Sequence, residues 1–224
     1  MNISVNNVVK TFGSTNVIDG ISMELRSGRV YGFQGINGCG KTMLMRLISG
    51  LIHPSKGHIL VDGKELGGEN SFPKKMGLLI ENPSFLNSYS GCKNLEMLAS
   101  ISEEISNEDI RAVLARVGLL ENADKKYGKY SLGMRQRLGI ACAIMEQPEL
   151  LLLDEPFISL DEEAVHMVAE IIRQEKERGA LIILACHDYE LLARSSDEIF
   201  KIVGGKLAHH LVKDENGTFS EVAQ

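Results

Sequence analysis

The chain has 224 residues, with 24 Lys and Arg against 30 Asp and Glu, so its formal net charge is −6. This length allows one large domain with a full core, and the negative balance argues against a surface that binds a nucleic-acid backbone. The four cysteines are scattered without a Cys-x-x-Cys pair, which excludes a zinc-finger pattern and a disulfide framework and favours a reducing compartment.

The N-terminal segment alternates loosely between apolar and polar residues and is broken at Gly13 and Gly20. This pattern predicts three short antiparallel strands, Ile3–Val5, Val8–Thr11 and Ile21–Leu25. Phe12 then lies in a loop, where the pattern alone favours a minor core residue.

The next stretch, Gly35–Thr42, fits the phosphate-binding pattern G-x-x-x-x-G-K-S/T. Its glycines let backbone N–H groups face an anion, Lys41 supplies a positive charge, and the Thr42 hydroxyl can bind Mg²⁺. A glycine-rich turn is the alternative, but a strand at 29–33 and a helix at 42–49 provide the expected context. The candidate nucleotide-binding residues are Gly35, Asn37, Gly38, Cys39, Gly40, Lys41 and Thr42.

Three further apolar strands end in polar side chains. The strand at 75–80 is followed by Glu81, the strand at 150–153 by Asp154 and Glu155, and the strand at 180–185 by His187. Taken singly, adjacent acids can be a loop start or a helix cap, and a lone histidine is usually structural. Strands that alternate with helices predict a mainly parallel sheet, whose carboxyl ends bring these residues to one crevice.

Residues 82–148 have helical patterning without obvious strands. Ser106 or Asn107 can cap one helix, and another opens at Ser131 and stops at Pro148. We therefore predict an α/β core formed by 1–81 and 149–212, including an antiparallel β subdomain, with an inserted helical subdomain at 82–148. Residues 213–224 form a polar tail.

The converging residues have the chemistry for hydrolysis of a nucleoside triphosphate. Thr42 and Asp154 can hold Mg²⁺, Glu155 can take a proton from the attacking water, and Lys41 neutralises phosphate charge. His187 can donate to the γ-phosphate and hold Glu155 or the water in place. A second helix N-terminus at Ser131–Gly133 also attracts anions, but it lies in the inserted subdomain.

In motif order the chain resembles the ATP-binding subunit of an ABC transporter. The matching stretches are Phe12, Gly35–Thr42, Glu81, Ser131–Arg137, Leu150–Pro156, Ser159–Asp161 and His187. The resemblance implies ATP and Mg²⁺ as cofactors, Phe12 stacked on adenine, and Ser131 and Gly133 on the partner's γ-phosphate. It also implies Asp161 at the seam of a head-to-tail dimer, formed with an identical or similar ATPase subunit.

This resemblance implies a separate membrane permease as partner and a position at the cytoplasmic face of the membrane, because no apolar run approaches the roughly 20 residues of a membrane span. No nucleic-acid partner is expected. We expect the permease to contact 81–89, where Phe85, Leu86 and Tyr89 are apolar anchors, although internal packing explains them equally well.

Two departures from the family pattern resemble exporters related to bacitracin and lantibiotic resistance. The signature reads Ser131-Leu132-Gly133-Met134, and Glu81 replaces the usual glutamine, which places a carboxylate beside the metal. Cys39 is a thiol within the anion loop. Small size at a variable position explains it more simply than oxidative sensitivity does.

Two other functions compete with transport. A soluble ABC-type ATPase acting on nucleic acid or the ribosome usually carries two cassettes or a long coiled-coil insertion, and this chain has neither. A regulatory module without turnover is disfavoured by the presence of both Glu155 and His187.

Overall fold

The computed structural model describes residues 1–67, 72–102 and 104–222. The strands are β1 Asn2–Phe12, β2 Thr15–Arg26, β3 Val30–Gln34, β4 Lys56–Val61, β5 Lys64–Glu65, β6 Met76–Leu79, β7 Leu150–Asp154, β8 Leu181–Cys186, β9 Glu198–Val203, β10 Lys206–Lys213 and β11 Phe219–Glu221. The α-helices are α1 Lys41–Ile48, α2 Gly91–Ser102, α3 Asn107–Arg116, α4 Leu132–Ile144, α5 Glu162–Glu177 and α6 Tyr189–Ser195. Short 3-10 turns cover Leu120–Asn122 and Tyr127–Lys129.

Four strands form an antiparallel sheet in the order β2-β1-β4-β5. The prediction of two separate strands before residue 12 is wrong, because β1 is continuous and accommodates a register shift between Val5 and Val8. Asn7, inside this irregularity, has a φ of 45°, a left-handed conformation that asparagine tolerates better than most residues. Phe12 is consequently the last residue of β1, not a loop residue.

The second sheet has the order β11-β10-β9-β3-β8-β7-β6. Its pairs from β9 through β3, β8 and β7 to β6 are all parallel. Every residue of β7 and β8 is buried, as expected for central strands covered on both faces. The mainly parallel core with an antiparallel β subdomain and a helical region is therefore confirmed.

The predicted helix starts at Ser106 and Ser131 carry side-chain caps, and so does the start of α5. Ser106 and Asp109 form a reciprocal capping box on α3, and Asp161 accepts from the Ala164 N–H at 2.9 Å to cap α5. Ser131 caps α4 through the Met134 N–H at 3.2 Å. These caps fix where each helix begins, and therefore where the segments before them end.

The helical region packs on the parallel sheet through a continuous apolar core. Leu95 of α2, Ile110 of α3 and Leu138 of α4 belong to the same buried cluster as Leu151 and Leu153 of β7. Helix α4 therefore belongs to the same core as β7, the strand that ends at Asp154.

The polar tail contains a strand that the sequence pattern did not indicate. Phe219–Glu221 pairs antiparallel with β10 over 211–213, and Lys213 Nζ lies 5.4 Å from the centre of the Phe219 ring. Across the described ranges, no helix combines the length and the apolar character needed to cross a membrane.

Candidate functional site

The predicted polar residues lie at one edge of the parallel sheet. Gly35 follows β3, Glu81 follows β6 after one intervening residue, Asp154 ends β7, and His187 follows β8. Because β3, β8, β7 and β6 are consecutive neighbours, their carboxyl ends open on the same side. The expected convergence at this edge is what the structure shows.

Two glycines in the loop between β3 and α1 are required by space. A Cβ at Gly35 would collide with the Cys39 sulfur and the Ile202 carbonyl. Gly40 has a φ of 114°, and a Cβ there would lie 2.8 Å from Ile18. No side chain caps α1, so its first N–H groups face the loop without an internal acceptor.

Lys41 points back into the curl of this loop. Its Nζ donates to the carbonyl oxygens of Gly35 at 2.6 Å and Ile36 at 3.3 Å, and the residue is only 6% exposed. A positive charge is therefore held where the helix N-terminus already favours an anion.

The Thr42 hydroxyl donates to Asp154 Oδ2 at 2.5 Å, which joins α1 to the end of β7. Asp154 is 7% exposed, and burial is the largest effect raising the pKa of its carboxyl, with smaller contributions from the charges of Glu155 and Glu81. The hydrogen bond from Thr42 and the charge of Lys41 act in the opposite direction. Mg²⁺ prefers oxygen ligands, and the buried Asp154 carboxylate and the Thr42 hydroxyl are two such ligands side by side. The pair therefore fits Mg²⁺.

Glu155 is held by two different segments, the end of β8 and helix α4. His187 Nδ1 lies 3.0 Å from both carboxylate oxygens, and the His187 backbone N–H donates to Oε1 at 3.1 Å. Gln136 Nε2 of α4 donates to the Glu155 carbonyl at 3.0 Å. The backbone of Glu155 has a φ of 48°, a costly conformation for a residue of this type, so these contacts fix a strained position.

Glu81 makes an ion pair that the sequence did not predict. Its Oε1 lies 2.5 Å from an Nη of Arg46, one helical turn after Thr42 on α1. Glu81 also has a left-handed backbone, with a φ of 61°. The candidate metal ligand is thus engaged by a cation of this same chain.

These residues surround an open cleft of about 320 Å³. Its lining includes eight of the predicted site residues, Asn37, Gly38, Gly40, Lys41, Thr42, Glu81, Asp154 and Glu155. Val17, Met43 and Arg46 also line it. Gly35 and Cys39 lie beneath the loop, and His187 reaches the cleft through its contact with Glu155.

Cys39 is a packing residue in this geometry. It is 5% exposed, and its sulfur is packed against Gly35 within the apolar core. Its carbonyl accepts from the Gly205 N–H at 3.0 Å. Burial therefore favours the small-side-chain interpretation over oxidative sensitivity.

One other cluster of possible ligands lies at this edge. Within the described ranges, Glu155, Cys186 and His187 bring ligand atoms within 4.8 Å of one another. Burial raises the pKa of the Cys186 thiol to about 12, so the sulfur stays protonated and is a poor metal ligand. The arrangement favours hydrogen bonding around Glu155 over metal binding.

The three predicted nucleotide contacts outside the phosphate loop, Phe12, Ser131 and Gly133, do not line this cleft. Phe12 is 51% exposed, with Lys10 Nζ 5.2 Å from its ring centre, so the minor-core interpretation is wrong. Ser131 is exposed at the start of α4, and the neighbouring Leu132 is 69% exposed. Gly133 packs closely enough on the Ser159 carbonyl that a Cβ would lie 2.9 Å from it.

The residues proposed to contact a permease divide into two groups. Phe85 is partly buried and packs edge-on against Tyr127 at 5.3 Å, as the internal-packing alternative expects. Leu86 and Tyr89 are 51% and 44% exposed. Only the latter two are available to a partner.

Arg46 and Gln136 are the polar contacts that sequence reasoning missed. Arg46 follows Thr42 by four residues, a helical spacing that placed it on the cleft side of α1 and could have drawn attention to it. Gln136 is 4% exposed, and a buried glutamine requires a partner, but its position does not show that the partner is the Glu155 carbonyl.

Known proteins similar to this chain are ATP-binding subunits of ABC transporters. The family model described as ABC transporter matches residues 18–158. An uncharacterized ABC transporter ATP-binding protein of Bacillus subtilis, YybJ, is 44% identical over 205 residues, covering 92% of this chain and 94% of the relative. The family match spans the phosphate loop, Ser131–Gly133 and Glu155.

Two relatives are named for peptide antibiotics. The bacitracin transport ATP-binding protein BcrA of Bacillus licheniformis is 36% identical, with 95% of this chain and 70% of the relative covered. The lantibiotic transport ATP-binding protein SrtF of Streptococcus pyogenes is 32% identical, with 96% and 92% covered. The expected resemblance to bacitracin and lantibiotic ABC proteins is confirmed.

Among solved structures, the ATP-binding cassette MJ0796 superposes with a TM-score of 0.84 at 18% identity, covering 93% of this chain and 97% of the cassette. That structure is described as a dimeric post-hydrolysis state bound to ADP and Pi. At this identity the similarity concerns the fold.

Proposed function

Since the chain belongs to the ABC transporter family and is an ABC ATPase domain that binds ATP, we propose that it is the hydrolysing motor subunit of an exporter with a separate permease. The observation that carries the proposal is the cleft in which Lys41, the Thr42–Asp154 pair and the Glu155–His187 pair converge. Each pair has a different task in ATP hydrolysis.

The first task is to hold the triphosphate. The uncapped N–H groups of α1 and the buried Lys41 ammonium neutralise and orient phosphate oxygens. Thr42 and Asp154 are the residues that would hold Mg²⁺, which would supply further charge neutralisation for the departing phosphate.

The second task is to activate water. The Glu155 carboxylate accepts a proton from the attacking water, and its position is fixed by His187 and by the Gln136 contact to its backbone. His187 Nδ1 donates to this carboxylate, which leaves Nε2 directed elsewhere. If Nε2 also donates to phosphate, both ring nitrogens carry protons.

A second copy completes the site. The N-terminus of α4 is exposed at Ser131 and Leu132 but does not line the cleft of its own chain. In a head-to-tail dimer this helix end reaches the γ-phosphate bound by the partner copy, with Phe12 against the adenine. ATP then binds between two copies and closes the dimer.

The permease contact is an exposed apolar face formed by α2 and Leu86. Met97, Leu98 and Ile101 on α2 are 40%, 38% and 82% exposed, and Leu86 adjoins Met97 and Leu98 around one groove. Spacings of three and four residues place Ile101 on the same side of α2 as Met97 and Leu98. Docking here positions the motor peripherally at the cytoplasmic face, and the named relatives favour a peptide antibiotic as cargo.

The proposal is tested with Glu155→Gln. The amide keeps the shape of the side chain but cannot take a proton, so hydrolysis falls by about 100-fold or more while ATP binding is retained. Released phosphate and equilibrium binding of ATP with Mg²⁺ are measured on the same preparations. Wild-type protein that hydrolyses nothing, with or without its co-purified permease, would contradict the motor assignment.

Docking is tested separately with Leu98→Asp. A charge on the exposed face should prevent co-purification of a membrane subunit from detergent while ATP hydrolysis by the isolated chain is preserved. Leu120→Asp, the same change at a 45% exposed leucine outside α2 and the groove, is the control. Equal recovery of the membrane subunit with wild type and Leu98→Asp would contradict this docking surface, and recovery of ribosomes or nucleic acid instead would support the rival function.

A further inference from the structure

The ion pair between Arg46 and Glu81 lies on the wall of the nucleotide cleft. Arg46 is on α1, one turn beyond the Thr42 hydroxyl, and Glu81 follows β6 on the opposite wall. Among the described residues, no other side chain hydrogen-bonds or forms an ion pair with the Arg46 guanidinium.

The pair is well suited to being broken during function. The Arg46 and Glu81 side chains are 34% and 63% exposed, and ion pairs at this degree of exposure contribute little to stability. Glu81 also has a strained left-handed backbone at the junction between the sheet and the segment leading to α2. A weak contact therefore restrains a carboxylate at a strained junction.

The charges of the cleft explain why the pair matters. The formally charged groups of its lining are two cations and three anions, Lys41, Arg46, Glu81, Asp154 and Glu155. Glu81 is near enough to Asp154 for its charge to contribute to that carboxyl's raised pKa. A free Glu81 would repel metal-free ATP but would attract Mg²⁺ held at Thr42 and Asp154.

We propose that Arg46 is a positioning residue: it holds the Glu81 carboxylate away from the metal position until nucleotide and Mg²⁺ arrive, when Glu81 exchanges Arg46 for the metal side of the cleft. This inference rests on the proposed ATP site and extends it. The exchange connects occupancy of the cleft to the segment that leads from Glu81 to α2.

The measured quantity is the metal gain, defined as the ATP dissociation constant in EDTA divided by that in saturating Mg²⁺. Freed from Arg46, Glu81 weakens metal-free binding and strengthens metal-dependent binding. Arg46→Gln should therefore raise the metal gain about three- to tenfold, the range for one unscreened charge near a surface cleft. Displacement of a fluorescent ATP analogue gives both constants without hydrolysis.

Matched variants separate positioning from a structural effect. Arg46→Lys retains the charge and should stay closer to wild type. Arg29→Gln breaks a different Arg–Glu pair, also 2.5 Å long, at Glu198 outside the cleft, and should leave the metal gain unchanged. In the Glu81→Gln background, Arg46→Gln should change the gain by less than about twofold because its partner is already neutral.

The outcomes distinguish this inference from the function on which it rests. A wild-type metal gain in Arg46→Gln, or an equal rise in Arg29→Gln, overturns the positioning role while ATP binding and the motor assignment stand. An equal rise with and without Glu81 shows that Arg46 acts on the nucleotide directly and also overturns it. Wild-type protein that binds no ATP overturns both proposals.

Discussion

Two helix N-termini, those of α1 and α4, differ in what surrounds them. The α1 end has a glycine cap with no side-chain acceptor, a buried lysine and a hydroxyl bound to a buried carboxylate. The α4 end is capped by Ser131 and presents Leu132 to solvent. The N-terminus of α1 is therefore suited to hold an anion within this chain. The N-terminus of α4 is capped by its own side chain and faces solvent, where it can attract an anion bound to another molecule.

Lys41→Ala should produce the largest change, because it removes the charge that separates the α1 end from an ordinary helix start. Loss of a desolvated partner to a phosphate costs about 2 to 4 kcal/mol, so ATP affinity should fall roughly 100-fold. Lys206→Ala, which removes an exposed lysine paired with Asp19 outside the cleft, is the control. Equal ATP affinity in the two variants would contradict the claim that the N-terminus of α1 binds the phosphates.

Gln136→Met tests the contact that joins α4 to the α1 site. The apolar side chain has a similar volume but leaves the Glu155 carbonyl with only the Ile158 N–H as donor, so the strained Glu155 is less firmly placed. We expect hydrolysis to fall about fivefold with ATP affinity unchanged, since one net hydrogen bond is worth about 1 kcal/mol. Gln174→Met on the exposed surface of α5 is the comparison, and equal turnover in both variants would contradict the role of the contact.

Asp154→Asn should produce the smallest effect, and its direction is informative. Because burial raises the pKa of Asp154, folding disfavours the ionised form, and stability present at low pH is lost as the pH rises through the raised value. In EDTA at pH 7 the variant should be more stable than wild type, with a difference that shrinks as the pH falls toward 3. Thermal unfolding measures this. A variant less stable than wild type at pH 7 would contradict it.

The same variant sharpens the comparison through ligand binding. Mg²⁺ with ATP should stabilise wild type more than Asp154→Asn, because only the carboxylate carries the charge that the metal requires. The stability order seen in EDTA should therefore reverse when both ligands are saturating. Such a reversal is typical of a site in which function has been kept at the expense of stability.

The sequence predicted those features that depend on local rules. Ser106 and Ser131 cap helices where predicted, and the phosphate loop lies between a buried strand and a helix. Apolar runs identified β7 and β8, and the parallel order then brought Glu81, Asp154 and His187 to one edge. These conclusions need only periodicity, capping chemistry and strand direction.

Features that depend on distant contacts could not be read from the pattern. Strand β1 stays continuous across the register shift at Asn7 because β2 and β4 pair with it on both sides of the shift. The contact of Arg46 with Glu81 requires knowing that α1 and the end of β6 face the same cleft. Strand β11 has too few apolar residues to be recognised without β10 as its partner.

The most direct test of the account adds a charge to the exposed end of α4. In the Glu155→Gln background, light scattering with ATP and Mg²⁺ should show a dimer, which Leu132→Gln preserves. Leu132→Glu should be monomeric, although an acid in the first turn stabilises a helix by about 0.3 to 1 kcal/mol, because its carboxylate would face the partner's triphosphate. A Leu132→Glu protein that dimerises as fully as Leu132→Gln would contradict the claim that α4 supplies the second half of the site.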